Sequence, residues 1–112
     1  MVTPAVGAVV LVPFPFSDLS ASKLRPALVI AASGRGDWIC AQITSNPYSD
    51  LSAVEIRTAD FQVGTLDRLS YVRPGKLFTA NESLFRRVVG NITDSKLQQV
   101  RMAIINLLQG SK

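Results

Sequence analysis

The sequence predicts a mainly β fold with one C-terminal helix, arranged as a small, strongly bent antiparallel barrel of six to seven strands. Short apolar runs rich in β-branched residues, such as Val9–Val12 and Ala27–Ala32, recur between turn-forming segments. One stretch with helical spacing of apolar residues follows them, at positions 93–109. The 112 residues suffice for one hydrophobic core, so we expect a single domain over residues 1–112.

The strand predictions follow the apolar runs and the turn residues between them. Proline cannot donate to a sheet ladder, so pairing is expected to weaken at Pro13 and Pro15, and a polar loop is predicted from there to Arg25. Pro74-Gly75 predicts a bulge or an edge position near the end of its strand. The predicted strands are Val9–Val12, Ala27–Ala32, Trp38–Thr44, Ala53–Arg57, Leu69–Lys76 and Arg87–Ile92.

The remaining segments are predicted to be irregular or helical. Asp60–Leu66 contains Gly64 and is expected to be irregular, whereas Thr79–Phe85 is expected to hold one helical turn capped by Thr79 or Asn81. Thr93 is expected to cap the C-terminal helix, which ends near Leu108 before Gly110. The helix residues predicted to pack on the barrel are Leu97, Val100, Ile104, Leu107 and Leu108.

The composition restricts the chemistry that the chain can perform. The absence of histidine excludes the paired-histidine acid–base catalysis of many ribonucleases, and with a single cysteine it argues against a tetrahedral zinc site. The eight acidic residues are scattered singly, which argues against a carboxylate-bound magnesium site. We therefore expect no metal and no cofactor. The net charge of +4 suits a polyanionic partner.

The sequence carries no apolar run of the roughly 20 residues that span a bilayer, and no signal-peptide pattern. A cytoplasmic location without membrane attachment is the resulting expectation. The single cysteine, Cys40, lies in an apolar run and is expected to be an inert core thiol.

Arg25 is the first residue that the pattern singles out for function. Pro26 keeps the preceding residue out of the helical region, so a permanently charged guanidinium is expected where the polar loop re-enters the sheet. Read alone, this arginine fits a surface ion pair as well as a binding site. A lone threonine at a strand end, such as Thr44, is most often structural.

An ordered set of motifs changes that interpretation. The pattern G-x-V-x-x-V-x-F, a polar loop and then K-x-R-P-A-L-V-I resembles the opening of the MazF/PemK family of bacterial mRNA interferases. The resemblance continues in Ala41–Ser45, in Val54–Ile56 and in Ser70–Leu77, and covers nearly the whole chain. It implies an SH3-like barrel, like those of the MazF and CcdB toxins, that pairs as a homodimer.

The resemblance also implies an activity and its residues. The activity is sequence-specific, metal-independent cleavage of single-stranded RNA, carried out by the toxin of a type II toxin–antitoxin pair, with Arg25 and Thr44 at the catalytic positions. Ser45, Asp18 and Arg73 are auxiliary candidates. One branch of the family places an acid two residues after the arginine that Arg73 matches, and this chain has Gly75 there. Asp18 is then a candidate proton acceptor, beside solvent or a phosphate oxygen.

RNA binding is expected from cations and aromatic residues around the same site. The implied partner besides RNA is an antitoxin whose acidic, disordered segment folds into the basic groove. The alternative is a barrel of the same fold that binds nucleic acid or DNA gyrase without cutting RNA; the gyrase branch carries a tryptophan near its C-terminus, and here the only tryptophan is Trp38. The candidate RNA-binding residues are Lys23, Phe16, Tyr48, Tyr71 and Lys76, each of which also fits a packing role.

Overall fold

The computed structural model describes residues 4–15 and 22–110 of the chain. In these ranges the backbone forms seven antiparallel strands and one α-helix, which confirms the predicted fold class. The helix, α1, spans Asp94–Leu108. The strands are β1 (Ala8–Pro15), β2 (Ser22–Gly34), β3 (Asp37–Thr44), β4 (Val54–Ile56), β5 (Phe61–Gly64), β6 (Ser70–Asn81) and β7 (Arg87–Ile92).

The strands form one curled sheet in the order β4-β6-β3-β2-β1-β7-β5. Its two edge strands are short, and a 3-10 turn at Thr58–Asp60 joins them. Lys96 of α1 lies against this connection, because its ammonium donates to the Glu55 carbonyl oxygen at 3.2 Å and lies 3.6 Å from the Asp60 carboxylate. The helix thus covers part of the edge that β4 would otherwise expose.

β1 and β2 are longer than predicted, so residues at both ends of the predicted polar loop belong to these strands. β1 continues through both prolines, and Pro13 pairs with Leu24. The reason is that pairing with β7 stops at Leu11, so Pro13 and Pro15 lie where β1 has no second neighbour that needs an N–H donor. Arg25 consequently lies within β2, opposite Val12, rather than at the end of a loop.

Two other segments also differ from the prediction. Asp60–Leu66 was expected to be irregular, but β5 forms within it because it pairs with β7. Thr79 belongs to β6, which extends to Asn81, and the predicted helical turn is reduced to a 3-10 turn at Glu82–Leu84. Asn81 caps this turn as predicted, since its side chain accepts from the Ser83 N–H at 3.0 Å.

The predicted bulge in the Pro74-Gly75 region is confirmed. β3 and β6 pair at Ala41↔Leu77 and again at Ile43↔Val72, so one residue of β3 faces four residues of β6. The extra residues, 73–76, leave the regular ladder and allow β6 to bend strongly. This bend carries Arg73 to the end of β3 where the candidate site lies.

The sheet buries apolar side chains on both faces. Neighbouring residues belong to different clusters: Leu28 and Ala41 pack on the helix side, whereas Val29 and Cys40 pack on the opposite side. This alternation is the period-2 pattern of a pleated strand covered on both faces. Burial raises the pKa of the Cys40 thiol to about 11, which agrees with the expected inert core thiol.

α1 follows the predicted pattern at its start and departs from it at its end. The Thr93 hydroxyl accepts from the Lys96 N–H at 3.2 Å, and Leu97, Val100 and Ile104 are buried. Leu107 and Leu108 were expected to pack on the same face but are 45% and 76% exposed. Leu107 lies over Gly75, which has no side chain to cover it, in the part of β6 that leaves the regular ladder. The helix is not one that could cross a bilayer, and neither is any other in the described ranges.

Gly64 offers a test of the close approach between β5 and β7. It has φ +71°, and a Cβ there would overlap the Val89 carbonyl oxygen. Gly110 has nearly the same φ, +74°, but open space around it, so Gly110→Ala isolates the conformational cost of about 1 kcal/mol. We expect Gly64→Ala to lower the free energy of unfolding by roughly 1–3 kcal/mol more, as for overpacked sites. Urea unfolding measures both variants, and equal losses would contradict the close approach.

Candidate active site

Arg25 and Thr44 lie together at the end of the β2–β3 pair. The pairing of these strands ends at Ala27↔Gln42, and each of the two residues lies two positions beyond that last pair. Because side chains alternate along a strand, Arg25 is on the same face as Ala27, and Thr44 is on the same face as Gln42. The register therefore places the guanidinium and the hydroxyl at one level of the sheet, on one side.

Both side chains line an open cleft of about 470 Å³, which we call the tyrosine cleft. Its floor includes Phe14, whose ring packs edge-to-face on Phe78 with the centroids 5.1 Å apart. Tyr48 lines the same cleft and is 72% exposed, so most of its ring is available to a ligand. The lining residues of the tyrosine cleft are Phe14, Arg25, Gln42, Ile43, Thr44, Tyr48 and Arg73.

A second cleft, of about 350 Å³, begins at the same two residues and is called the aspartate cleft. Arg25, Ile43 and Thr44 line both clefts, so the two are arms of one groove with the Arg25–Thr44 pair at its centre. The lining residues of the aspartate cleft are Lys23, Arg25, Pro26, Ile43, Thr44, Ser45, Leu66, Asp67, Arg68 and Ser70.

The Thr44 hydroxyl organises the loop that follows β3. It accepts from the Asn46 N–H at 3.1 Å and donates to the Asn46 carbonyl oxygen at 3.0 Å. The Asn46 side chain in turn accepts from the Tyr48 N–H at 3.0 Å. Tyr48 and Ser49 have φ values of +52° and +70°, a backbone conformation that side chains other than glycine rarely adopt. These contacts hold Tyr48 at the rim of the cleft.

Arg73 holds the other end of this loop. Its Nε donates to Asp50 Oδ2 at 2.9 Å, and both side chains are largely buried, with 22% and 15% exposed. Ser52 donates to the second oxygen of Asp50 through its hydroxyl and its N–H. The Ser52 hydroxyl and the Arg73 guanidinium lower the pKa of the Asp50 carboxyl below its ordinary range. Arg73 thus reaches the cleft with its charge compensated by Asp50.

The other predicted residues line different clefts, or lie outside the groove that contains Arg25 and Thr44. Lys23 and Ser45 line the aspartate cleft. Lys76 lines a third, open cleft beside Leu107, which we call the leucine cleft; it adjoins the tyrosine cleft because Tyr48 and Arg73 line both. Tyr71 pairs with Thr44 across β3–β6 but lines neither arm of the groove. Phe16 and Asp18 lie outside the described residues.

Several residues that line the groove are not among the candidates from the sequence, and Gln42, Asp67 and Arg68 are those with long polar or charged side chains. Gln42 has a signal in the sequence, because it precedes Thr44 by two positions on a strand and so shares its face. Asp67 and Arg68 have none, because they belong to the irregular segment between β5 and β6. The Leu66–Arg68 segment is the wall between the aspartate cleft and a smaller cavity of about 190 Å³.

Comparison with protein families identifies the family to which the chain belongs. The family model described as a PemK-like, MazF-like toxin of type II toxin–antitoxin systems matches residues 5–108. The chain belongs to this family. The resemblance inferred from the motifs is therefore confirmed, whereas a comparison with curated protein sequences finds no match.

Solved structures of MazF proteins have the same fold. The chain is 19% identical to a chain of the MazE–MazF complex from Deinococcus radiodurans, with a TM-score of 0.78 and coverage of 99% and 100% of the two chains. It is 20% identical to the Mycobacterium tuberculosis toxin MazF-mt6, with a TM-score of 0.70 and coverage of 91% and 96%. A mycobacterial endoribonuclease in complex with its cognate antitoxin matches at 14% identity, with a TM-score of 0.75 and coverage of 96% of each chain.

The Asp50–Arg73 pair predicts a specific response to acid. Folding lowers the pKa of the Asp50 carboxyl below its ordinary value of 3.8. The ion pair therefore contributes its full stabilisation at pH values above 3.8. This contribution is lost as the pH falls through the lower pKa of the folded protein. We expect Asp50→Asn to lower the stability at neutral pH and to lose less stability than the unsubstituted protein when the pH is lowered below 3.8. Urea unfolding from pH 7 to pH 2 measures both effects.

Glu55→Gln is the matched control for this measurement. It removes an ion pair with Arg57 whose side chains are 40% and 67% exposed, and such surface pairs contribute little. A stability loss no larger for Asp50→Asn than for Glu55→Gln would show that the Asp50–Arg73 pair does not hold the loop.

Proposed function

We propose that this toxin-family chain is a sequence-specific, metal-independent endoribonuclease that cleaves single-stranded RNA, the substrate being mRNA. The observation that carries the proposal is the shared groove in which a guanidinium, Arg25, lies level with a hydroxyl, Thr44. Membership of the MazF-like toxin family supports it. Two of the similar structures are a mycobacterial endoribonuclease and the toxin MazF-mt6, which agrees with the same activity.

The reaction that suits these residues uses the RNA's own nucleophile. The 2′-hydroxyl oxygen forms a bond to the adjacent phosphorus, and the bond from phosphorus to the 5′-oxygen breaks. The 2′-hydroxyl loses its proton and the departing 5′-oxygen gains one, which leaves a 2′,3′-cyclic phosphate and a 5′-hydroxyl. Negative charge grows on the phosphoryl oxygens during the step, so a fixed cation stabilises the transition state more than the ground state.

Arg25 is the residue assigned to that charge. An arginine guanidinium is planar, matches two phosphate oxygens at once and stays protonated at any physiological pH. A group that always holds its proton is unsuitable as a proton acceptor. Asp18 remains a candidate acceptor for the 2′-hydroxyl proton because of its position in the sequence. It lies outside the described residues.

Thr44 is assigned to orienting the 2′-hydroxyl. Its proton is directed to the Asn46 carbonyl oxygen and one of its lone pairs accepts from the Asn46 N–H. The second lone pair is available for the substrate's 2′-hydroxyl, which fits orientation better than donation to a phosphate. Ser45, in the aspartate cleft, is an auxiliary donor by its position.

The groove also supports a preference for single strands. Unpaired bases expose their faces, and Tyr48 and Phe14 offer aromatic surfaces for stacking in the tyrosine cleft. Lys23 and Arg25 offer cations for the neighbouring phosphates. Arg73 is assigned to positioning the Tyr48 loop through Asp50 rather than to binding phosphate, because its charge is already compensated.

The partners proposed for the chain follow from its charge and its exposed apolar residues. A net charge of +4 suits an antitoxin with an acidic, disordered segment, and MazE accompanies MazF in the Deinococcus radiodurans complexes. Exposed Met102, Ile105, Leu107 and Leu108 on α1 support a homodimer. A toxin of this kind acts on mRNA in the cytoplasm, without membrane attachment.

Cleavage of a long, defined RNA in the presence of a chelator tests the proposal. We expect discrete cuts that end in 2′,3′-cyclic phosphates, mapped by primer extension and by resistance of the 3′ ends to ligation. Arg25→Ala should lower the rate roughly 10²–10³-fold, as for other donors that stabilise developing charge. Arg87→Ala is the matched control, since Arg87 is an exposed arginine of β7 that lines neither arm of the groove.

Two results would contradict the proposal. Cuts that persist unchanged in Arg25→Ala would assign the activity to a contaminant or to another site. RNA affinity that falls with salt, without any cleavage, would select the non-catalytic binding barrel instead.

A further inference from the structure

The two arms of the groove have different chemistry. The Arg25–Thr44 pair lies where they meet, so an RNA whose reacting phosphate lies at this pair extends into both arms. The tyrosine cleft is lined by two aromatic rings, Phe14 and Tyr48, whereas no aromatic side chain of the described residues lines the aspartate cleft. Recognition of the nucleotide in the aspartate cleft therefore rests on polar and charged groups.

Asp67 is the unexpected group in that arm. A carboxylate beside Lys23 and Arg25 opposes the binding of a phosphate, because like charges repel. Both Asp67 and the adjacent Arg68 are exposed. Within residues 4–15 and 22–110, no hydrogen bond or ion pair engages the Asp67 carboxylate or the Arg68 guanidinium, so neither group is held by the fold.

A carboxylate in an RNA groove can accept from two kinds of RNA donor, the ribose 2′-hydroxyl and the N–H groups on the edge of an unpaired base. Every nucleotide carries the 2′-hydroxyl, so only the base edge distinguishes one nucleotide from another. Cytosine offers its N4 amino group, adenine its N6 amino group, and guanine the N1–H and N2 amino pair. Uracil has no amino group and presents carbonyl oxygens on either side of its single N3–H, so a carboxylate beside it meets acceptors. An aspartate at this position therefore discriminates against uracil.

Arg68 complements this recognition by its charge. Arg68 follows Asp67 in the chain and lines the same arm of the groove. Its guanidinium is suited to bind the phosphate of the nucleotide whose base Asp67 contacts. Phosphate contacts position the strand without reading its sequence, whereas a base-edge contact specifies it. Arg68 is thus suited to position the RNA strand, and Asp67 is suited to recognise its base.

We propose, building on the proposed endoribonuclease function, that Asp67 reads the base beside the cut and excludes uracil there, and that Arg68 binds the adjoining phosphate. Neither residue takes part in the bond-forming step. Specificity for the position in the aspartate cleft comes from the segment between β5 and β6.

A binding selection and a cleavage map test this inference together. The full-length protein is given a pool of RNAs, each about twelve nucleotides long, with randomised bases around one 2′-deoxynucleotide that blocks attack at its phosphate. Bound and free RNAs are sequenced. In parallel, the cut sites on long ribosomal RNA are mapped. We expect one position beside the blocked phosphate at which uracil is depleted, and the same depletion beside the cuts.

Asp67→Asn is the decisive variant because it keeps the size of the side chain while adding an amide donor that suits a carbonyl oxygen. We expect uracil at that position to gain about tenfold relative to cytosine, the scale of one base-edge contact. Asp94→Asn, the same change at an exposed acid in the first turn of α1, is the control and leaves the profile unchanged. An Asp67→Asn profile identical to the unsubstituted one overturns the inference.

Arg68→Gln separates positioning from reading. It should weaken the binding of all sequences alike and reduce the dependence of log K on log salt by about 0.7, the value for one phosphate of a single strand. Arg87→Gln is its control. A change of base profile in Arg68→Gln without a change of salt dependence would contradict the division of roles.

The two proposals fail separately. Cleavage that responds to Arg25→Ala, with a uracil profile that ignores Asp67→Asn, overturns only the inference about Asp67. No cleavage by the unsubstituted protein, with a binding profile that does respond to Asp67→Asn, overturns the endoribonuclease function and leaves the base recognition standing.

Discussion

The antiparallel register between β2 and β3 is the constraint on which the site depends. Leu28 lies opposite Ala41 on the helix side and Val29 lies opposite Cys40 on the other side, and all four side chains are fully buried. A slip of one residue would turn each apolar side chain of one strand to the wrong face, so burial fixes the register strongly. The same register brings Arg25 level with Thr44, so the packing of the core determines the geometry of the groove.

The loop after β3 adds an exposed aromatic ring, that of Tyr48, to the groove that we propose as the RNA site. It is tied at its start by the hydrogen bonds between Thr44 and Asn46, and at its end by the ion pair between Asp50 and Arg73. The left-handed backbone of Tyr48 is a costly conformation that these contacts maintain. Removing a tie is therefore expected to disorder the stacking surface as well as to lower stability. Arg73 contributes to the groove chiefly through the loop that it holds.

The sequence predicted those elements whose formation depends on residues close together in the chain. The β-branched runs predicted six strands, and Thr93 predicted the start of α1. The β5 strand was missed because its pairing with β7 depends on the tight approach of Gly64 to the Val89 carbonyl, which no local pattern reveals. For the site, the motif order pointed to Arg25 and Thr44, which the structure places in one groove.

The other groove residues depend on distant contacts. The partner of Arg73 lies 23 positions away in the chain, and Asp67 and Arg68 reach the groove from an irregular segment with no periodicity. The most direct test of the proposed site is a crystal structure of the protein bound to an RNA carrying a 2′-deoxynucleotide at a mapped cut. We expect the phosphate beside that nucleotide to lie within about 2.7–3.2 Å of the Arg25 guanidinium, next to the Thr44 hydroxyl. An RNA bound along the leucine cleft, with its blocked phosphate out of reach of Arg25, would contradict it.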